Sequence, residues 1–232
     1  MQCCPVRHRV DAKAQAASRP FAHHVLVRPT GFRAEVSDPD PRVEFQQLYG
    51  ALWHDEKRNH IICADIVSAT KEGRSPLVLT ERIEHLQCRA RLLSPEIPRL
   101  IVFQGGQSKK ALAAALAQLA QIPDTIRRVV LATGGYIGEG FDDPRLDTLF
   151  LALPISWRGT IAQYVGRLHR LHESKREVRV YDYADLNVPM LSRMFDRRCR
   201  GYESLGCTIL LPGSALPGWP SEVPLPVDPE SP

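Results

Sequence analysis

Residues 127–170 read RRVVLATGGYIGEGFDDPRLDTLFLALPISWRGTIAQYVGRLHR. VVLAT and DTLFLALP are short apolar runs without polar alternation, as expected of strands covered on both faces, and the segment from Thr160 has helical spacing. The same strand-then-helix order recurs outward on both sides. PLVLT precedes ERIEHLQCRARLL, PRLIVFQ precedes SKKALAAALAQLAQ, EVRVYDYAD precedes VPMLSRMFDRRCRGYESLG, and CTILL closes the series. The pattern predicts an α/β protein in which a parallel sheet is sandwiched by helices. In such sheets the functional groups gather at the carboxyl ends of the strands.

Towards the amino terminus, VLVRP at 25–29 has strand composition and GFRAEVSDPDPR reads as a loop. A helix is expected from about Val43, with Asn59 offering a break or a new N-cap midway. Residues 1–24 hold no complete apolar period, are basic and Ala-rich before the strand, and read as a linker or remnant. Residues 25–210 form the predicted domain. Residues 211–232 carry 7 of the chain's 19 prolines and read as a disordered tail.

The 232 residues at 26.0 kDa suit one main unit, and 44% hydrophobic with 24% charged residues is the balance of a globular chain. Of the 30 basic residues 24 are Arg, a bias that reflects either genomic base composition or contacts with phosphate, which the guanidinium fork matches. The six cysteines form no C-x-x-C pair and have no His at zinc-ligand spacing, so no metal site is expected and reduced thiols are. No run approaches the roughly 18 apolar residues of a membrane span, and the charged start does not resemble a signal peptide. The expectation is a cytoplasmic protein with no membrane partner.

Four strand ends carry polar residues that a sheet does not require. Thr80, Glu81 and Arg82 follow PLVL, where a hydroxyl and first-turn N–H groups can hold an anion, or where Thr80 simply caps a helix. Gln104, Gly105 and Gly106 follow RLIVF, with Ser108 placed to cap the next helix; a plain turn is the other reading. LATGGYIGEGFDDP holds four glycines in fourteen residues. Thr133 and Gly134 can contact phosphate there, and Asp142 or Asp143 a sugar hydroxyl, unless the loop only turns the chain. Gln163, Gly166, Arg167 and Arg170 form Q-x-x-G-R-x-x-R on an expected helix from Gln163 to Arg176, with the arginines three apart on one face. Gly166 suggests close packing or a bend, since glycine costs a helix interior about 1 kcal/mol relative to Ala. The arginines either clamp a phosphoryl group or form a solvated basic face.

In order and spacing, PLVLTER, FQGG, VVLATGGYIGEGFD and QYVGRLHR resemble the second RecA-like lobe of superfamily-two helicases of the DEAD/DEAH-box type. The likeness extends to a bacterial subgroup related to restriction and conflict systems, and covers about residues 25–210. The resemblance implies a single helicase C-terminal domain of the P-loop NTPase type. It implies that Arg167 and Arg170 reach a γ-phosphate, that Gln163 positions it or its water, and that Asp142 contacts the ribose or the coupling network while Gly140 permits the approach. Thr80, Arg82, Gly105, Thr133 and Gly134 fall to the backbone of a DNA or RNA single strand, without base specificity. The family's first lobe supplies G-x-x-x-x-G-K-[ST] and an Asp-Glu pair. The chain has neither: Asp55 and Glu56 lack a preceding apolar strand. ATP and Mg²⁺ are therefore expected only in a complete two-lobe enzyme, with a first RecA-like lobe as partner in trans or in a longer parent, and no cofactor for this chain alone. The rival expectation is a non-enzymatic remnant that binds nucleic acid or protein.

Overall fold

The computed structural model describes residues 20–134, 143–155, 160–173 and 175–214. Among them the order is β1 (Ala22–Pro29), α1 (Pro41–His54), α2 (Glu56–Lys71), β2 (Pro76–Thr80), α3 (Ile83–Leu93), β3 (Leu100–Phe103) and α4 (Lys109–Gln121). It continues with β4 (Val129–Thr133), β5 (Thr148–Leu151), α5 (Thr160–Leu168), β6 (Glu177–Ala184), α6 (Pro189–Ser204) and β7 (Thr208–Leu210). The strands form one seven-stranded sheet in the order β3-β4-β2-β5-β6-β1-β7, and every pairing is parallel.

Every residue of β2, β4 and β5 is buried, which is why these strands read as unbroken apolar runs. Side-chain alternation then divides them between two cores. Leu77, Leu79, Val130 and Ala132 pack with Leu119 of α4, Tyr164, Val165 and Leu168 of α5 and Tyr202 of α6. Val78, Val129, Leu131 and Phe150 pack on the other face with Ile62 and Ile66 of α2 and Leu86 and Leu93 of α3.

Two expectations about helices are corrected. The break between α1 and α2 falls at Asp55 rather than Asn59. The Asp55 carboxylate accepts from the Arg58 N–H at 2.6 Å while its own N–H donates to Ala51 O, so one residue ends α1 and starts α2. Asn59 instead sits inside α2 and bridges the break by donating to Trp53 O at 2.9 Å. The second correction is to the arginine helix, which ends at Leu168 rather than continuing to Arg176.

Several arginines have a structural role that neither sequence reading proposed. Arg58, Arg89, Arg128 and Arg198 are among the largest fully buried side chains. Arg28 pairs with Asp65 through two bonds of 2.8 and 2.6 Å, and Arg58 with Asp185 at 3.0 Å. Arg198 grips Asp182 through two bonds of 2.8 Å. These forks tie α2 and α6 to the strands they cover.

Candidate functional site

The carboxyl edge of β3, β4 and β2 brings the polar strand ends together. Thr80 and Thr133 are paired in register, and Phe103 pairs with Ala132, so the chain leaves β3 beside Thr133. The Thr133 hydroxyl accepts from the Gly105 N–H at 3.0 Å, joining the two loops. Gly106 turns the chain with φ +79°, a conformation that favours glycine, and Ser108 caps α4 by accepting from the Ala111 N–H at 3.2 Å.

Gly134 continues from Thr133 into a crowded position. A methyl group there would overlap the Tyr164 hydroxyl of α5 and lie 3.0 Å from Glu81 Oε1. Glycine at this position thus lets the end of β4, the segment after β2 and the arginine helix approach one another. Burial raises the Glu81 carboxyl above its ordinary value. Burial, and secondly the Glu81 charge, push the Tyr164 hydroxyl up to about 12, so it keeps its proton at neutral pH.

Thr80 is 3% exposed, and its hydroxyl lies 2.8 Å from His85 Nδ1. Arg89 Nε donates to His85 Nε2 at 3.0 Å, which assigns the ring proton to Nδ1 and makes Thr80 the acceptor. Arg89 in turn donates to Asn59 O at 2.7 Å and to Asn59 Oδ1. This buried chain fixes the Thr80 hydroxyl from behind. The cap position of α3 is Arg82, whose side chain makes no capping bond, so Thr80 is not the cap. The first N–H groups of α3 therefore lack a side-chain cap at this edge. The Arg82 guanidinium donates to Gln46 Oε1 of α1.

On α5, Gln163 is exposed and Arg167 half-buried, four residues apart on one helix face. Arg170 lies beyond the helix end, so it does not share that face as expected. The helix stops because the His169 N–H turns back to Gly166 O at 3.2 Å, while Lys175 Nζ takes Leu168 O at 2.8 Å and Arg170 O at 2.7 Å. A Cβ at Gly166 would meet no described heavy atom within 4 Å, which removes close packing among the described residues as the reason for that glycine.

Asp143 is taken by structure. It accepts from Arg145 Nε at 2.7 Å, Nη2 at 3.0 Å and the backbone N–H at 3.1 Å, and Arg145 also closes α4 through Ile122 O and Leu119 O. Its fellow candidates Gly140 and Asp142 lie outside the described residues. Among the described residues no group of three or more His, Cys, Asp or Glu side chains could hold a metal ion. No described helix is long and apolar enough to cross a membrane.

Tyr164, His85 and Lys175 were not singled out from the sequence. Tyr164 was hidden by its apolar neighbours in the helix pattern. His85 and Lys175 have partners only four to seven residues away, but neither lies in a motif that marks it.

The chain superposes on T4 UvsW with a TM-score of 0.62 at 16% identity, covering 83% of this chain and 41% of UvsW. On S. cerevisiae Dbp5 bound to RNA and ADP BeF3 the TM-score is 0.54 at 10% identity, covering 87% and 42%. On the C-terminal domain of the DEAD-box protein Dbp5 it is 0.51 at 10% identity, covering 83% and 91%. The chain thus spans about two fifths of UvsW and of RNA-bound Dbp5, and most of the isolated Dbp5 domain. Its fold is that of a RecA-like helicase C-terminal domain. No family model matches the chain. It belongs to one family with the uncharacterized protein 108L of Invertebrate iridescent virus 3, to which it is 32% identical over 90 residues, 39% of this chain and 82% of the viral protein.

Proposed function

We propose that this chain is the C-terminal lobe of an ATP-dependent DNA or RNA helicase or translocase. The observation that carries the reading is the convergence on Gly134. The ends of β2 and β4 meet the Q-x-x-G-R helix there, and the loop after β3 is hydrogen-bonded to the adjacent Thr133. A packed sheet has no need to bring two strand ends and a helix together at a glycine. A machine that couples nucleotide chemistry to a strand track does, because backbone amides, hydroxyls and guanidiniums must keep fixed spacing.

In this reading Arg167 and Arg170 stabilise charge on a transferring phosphoryl group, and Gln163 helps place it or the attacking water. Thr133, Gly134, the uncapped first turn of α3 and Arg82 offer donors to successive phosphates, with Gly105 holding the Thr133 hydroxyl in place and the Thr80–His85–Arg89 chain behind them. S. cerevisiae Dbp5, of which this chain covers 42%, is bound to RNA and ADP BeF3, and the shared fold supports proposing both ligands. The sequence contains no G-x-x-x-x-G-K-[ST] loop, so in this reading the nucleotide site is completed by a first lobe. That same absence favours a second reading, a module that binds nucleic acid or protein and never meets ATP.

The test is reconstitution with a first RecA-like lobe. The chain alone should release no phosphate from ATP, and the pair should show strand-stimulated hydrolysis that Arg167→Ala lowers about 10³-fold while leaving oligonucleotide binding nearly unchanged. Hydrolysis equal to that of the parent pair in Arg167→Ala would remove the arginine assignment. Binding that persists without any stimulated hydrolysis would favour the second reading.

A further inference from the structure

We propose that Lys175 is a positioning residue for the arginine segment, gripping the carboxyl end of α5 so that Arg167 and Arg170 are presented in fixed places. The inference rests on the arginine reading above.

The last carbonyls of any helix have no partner within it, and the common solution is a glycine just past the end whose left-handed conformation closes the turn. After Leu168 the sequence continues His-Arg-Leu-His, with no glycine to do this. α5 is also only nine residues long, a length at which an isolated helix is unstable in water. Some other group must hold its end.

Lys175 supplies that group. Lysine is almost never fully buried unless paired, yet Lys175 is 6% exposed. Its ammonium donates to Leu168 O at 2.8 Å and to Arg170 O at 2.7 Å. It also lies over the Phe21 ring, 5.7 Å from the centroid. Burial lowers its pKa to about 8, opposed by the charges of Asp147 and Asp143, so the cation is kept at neutral pH. A positive charge here also suits the carbonyl end of the helix dipole.

The two carbonyls chosen bracket the function. One belongs to Arg170 itself, and the other to the residue directly after Arg167. Lys175 stands two residues before β6, the strand that pairs with β5 and β1 in the sheet, so its grip refers the arginine segment to the rigid core rather than to a loop. A displacement of about 1 Å in a group that meets a transition state is enough to cost about 100-fold in rate.

The experiment compares the full-length parent with Lys175→Met, which keeps the chain's bulk and removes the donor, and Lys175→Arg, which keeps the charge and the donors. Hydrogen exchange is read at the amides of the last turn of α5 and at His169, whose N–H donates to Gly166 O. It should accelerate about tenfold or more in Lys175→Met, as expected for losing charge-assisted bonds, and return towards the parent in Lys175→Arg. In the reconstituted pair, Lys175→Met should lower kcat about tenfold or more with KM for ATP held, and Lys175→Arg should restore kcat. Unchanged exchange in Lys175→Met overturns the grip. Faster exchange with parental kcat, where Arg167→Ala still abolishes turnover, overturns the positioning role while leaving the arginine reading intact. If Arg167→Ala is harmless, the arginine reading and the positioning role fall together, and exchange alone then decides whether Lys175 holds the helix.

Discussion

Acidification from pH 7 to pH 5 should remove about 2 kcal/mol of stability through His85 alone. The ring is fully buried between the Thr80 hydroxyl at 2.8 Å and Arg89 Nε at 3.0 Å. Burial, followed by the charges of Arg89, Arg58 and His54, lowers its pKa from 6.5 to about 2. As pH falls below 6.5 the unfolded chain takes up a proton that the folded chain refuses, so the unfolded state binds more protons and stability declines. The loss runs from about pH 6.5 down to about pH 2, at up to about 1.4 kcal/mol per pH unit. Between pH 7 and pH 5 this integrates to about 2 kcal/mol, a sizeable part of the 5–15 kcal/mol typical of a domain. Urea unfolding at both pH values, for the parent and for His85→Gln, isolates the effect because other titrating groups cancel in the difference. The parent should lose about 2 kcal/mol more than the variant. In parallel, the His85 ring resonances of the folded parent should not titrate between pH 8 and pH 4. A ring that titrates above pH 5, or equal acid sensitivity in both proteins, would refute the buried neutral histidine and the hydrogen-bonded chain built on it.

Asp182→Ala should cost about 3–5 kcal/mol, because it strands the buried Arg198 fork and removes the acceptor of the Tyr202 hydroxyl at 2.7 Å. Urea denaturation measures it, and a loss under about 1 kcal/mol would contradict the pair's role in holding α6 to β6. Gly134→Ala should cost about 1–3 kcal/mol by crowding the Tyr164 hydroxyl and Glu81. The double variant with Tyr164→Phe should recover part of that loss, whereas strictly additive effects would place the clash elsewhere.

The alternation of strands and helices was legible in the sequence because burial on both faces leaves β2, β4 and β5 as unbroken apolar runs, a signal carried within four or five residues. Thr80, Gly105, Thr133 and Gly134 were legible as a group because each ends or follows such a run, and a parallel sheet gathers those ends on one edge. Boundaries were less legible. Asp55 and Asn59 both suit a cap, and Asp55 prevails because its acceptor meets the Arg58 N–H while Asn59 finds donors and acceptors inside the fold.

What the sequence by itself determined, then, is the class of fold and the set of polar strand ends that form the candidate site, since both follow from short-range patterns of apolar and polar residues. The tertiary structure alone decided which of those ends meet, because β4 enters between β3 and β2 and brings Gly134 against Tyr164 from a separate helix. It also decided the fate of the charged residues. Arg58 finds Asp185 across 127 positions and Arg28 finds Asp65 across 37, and no local pattern specifies such partners. A buried charge is tolerated only where its counter-ion arrives by folding. Asp143 meets Arg145 only two residues away, and folding adds the bonds from Arg145 to Ile122 O and Leu119 O that hold the pair against α4.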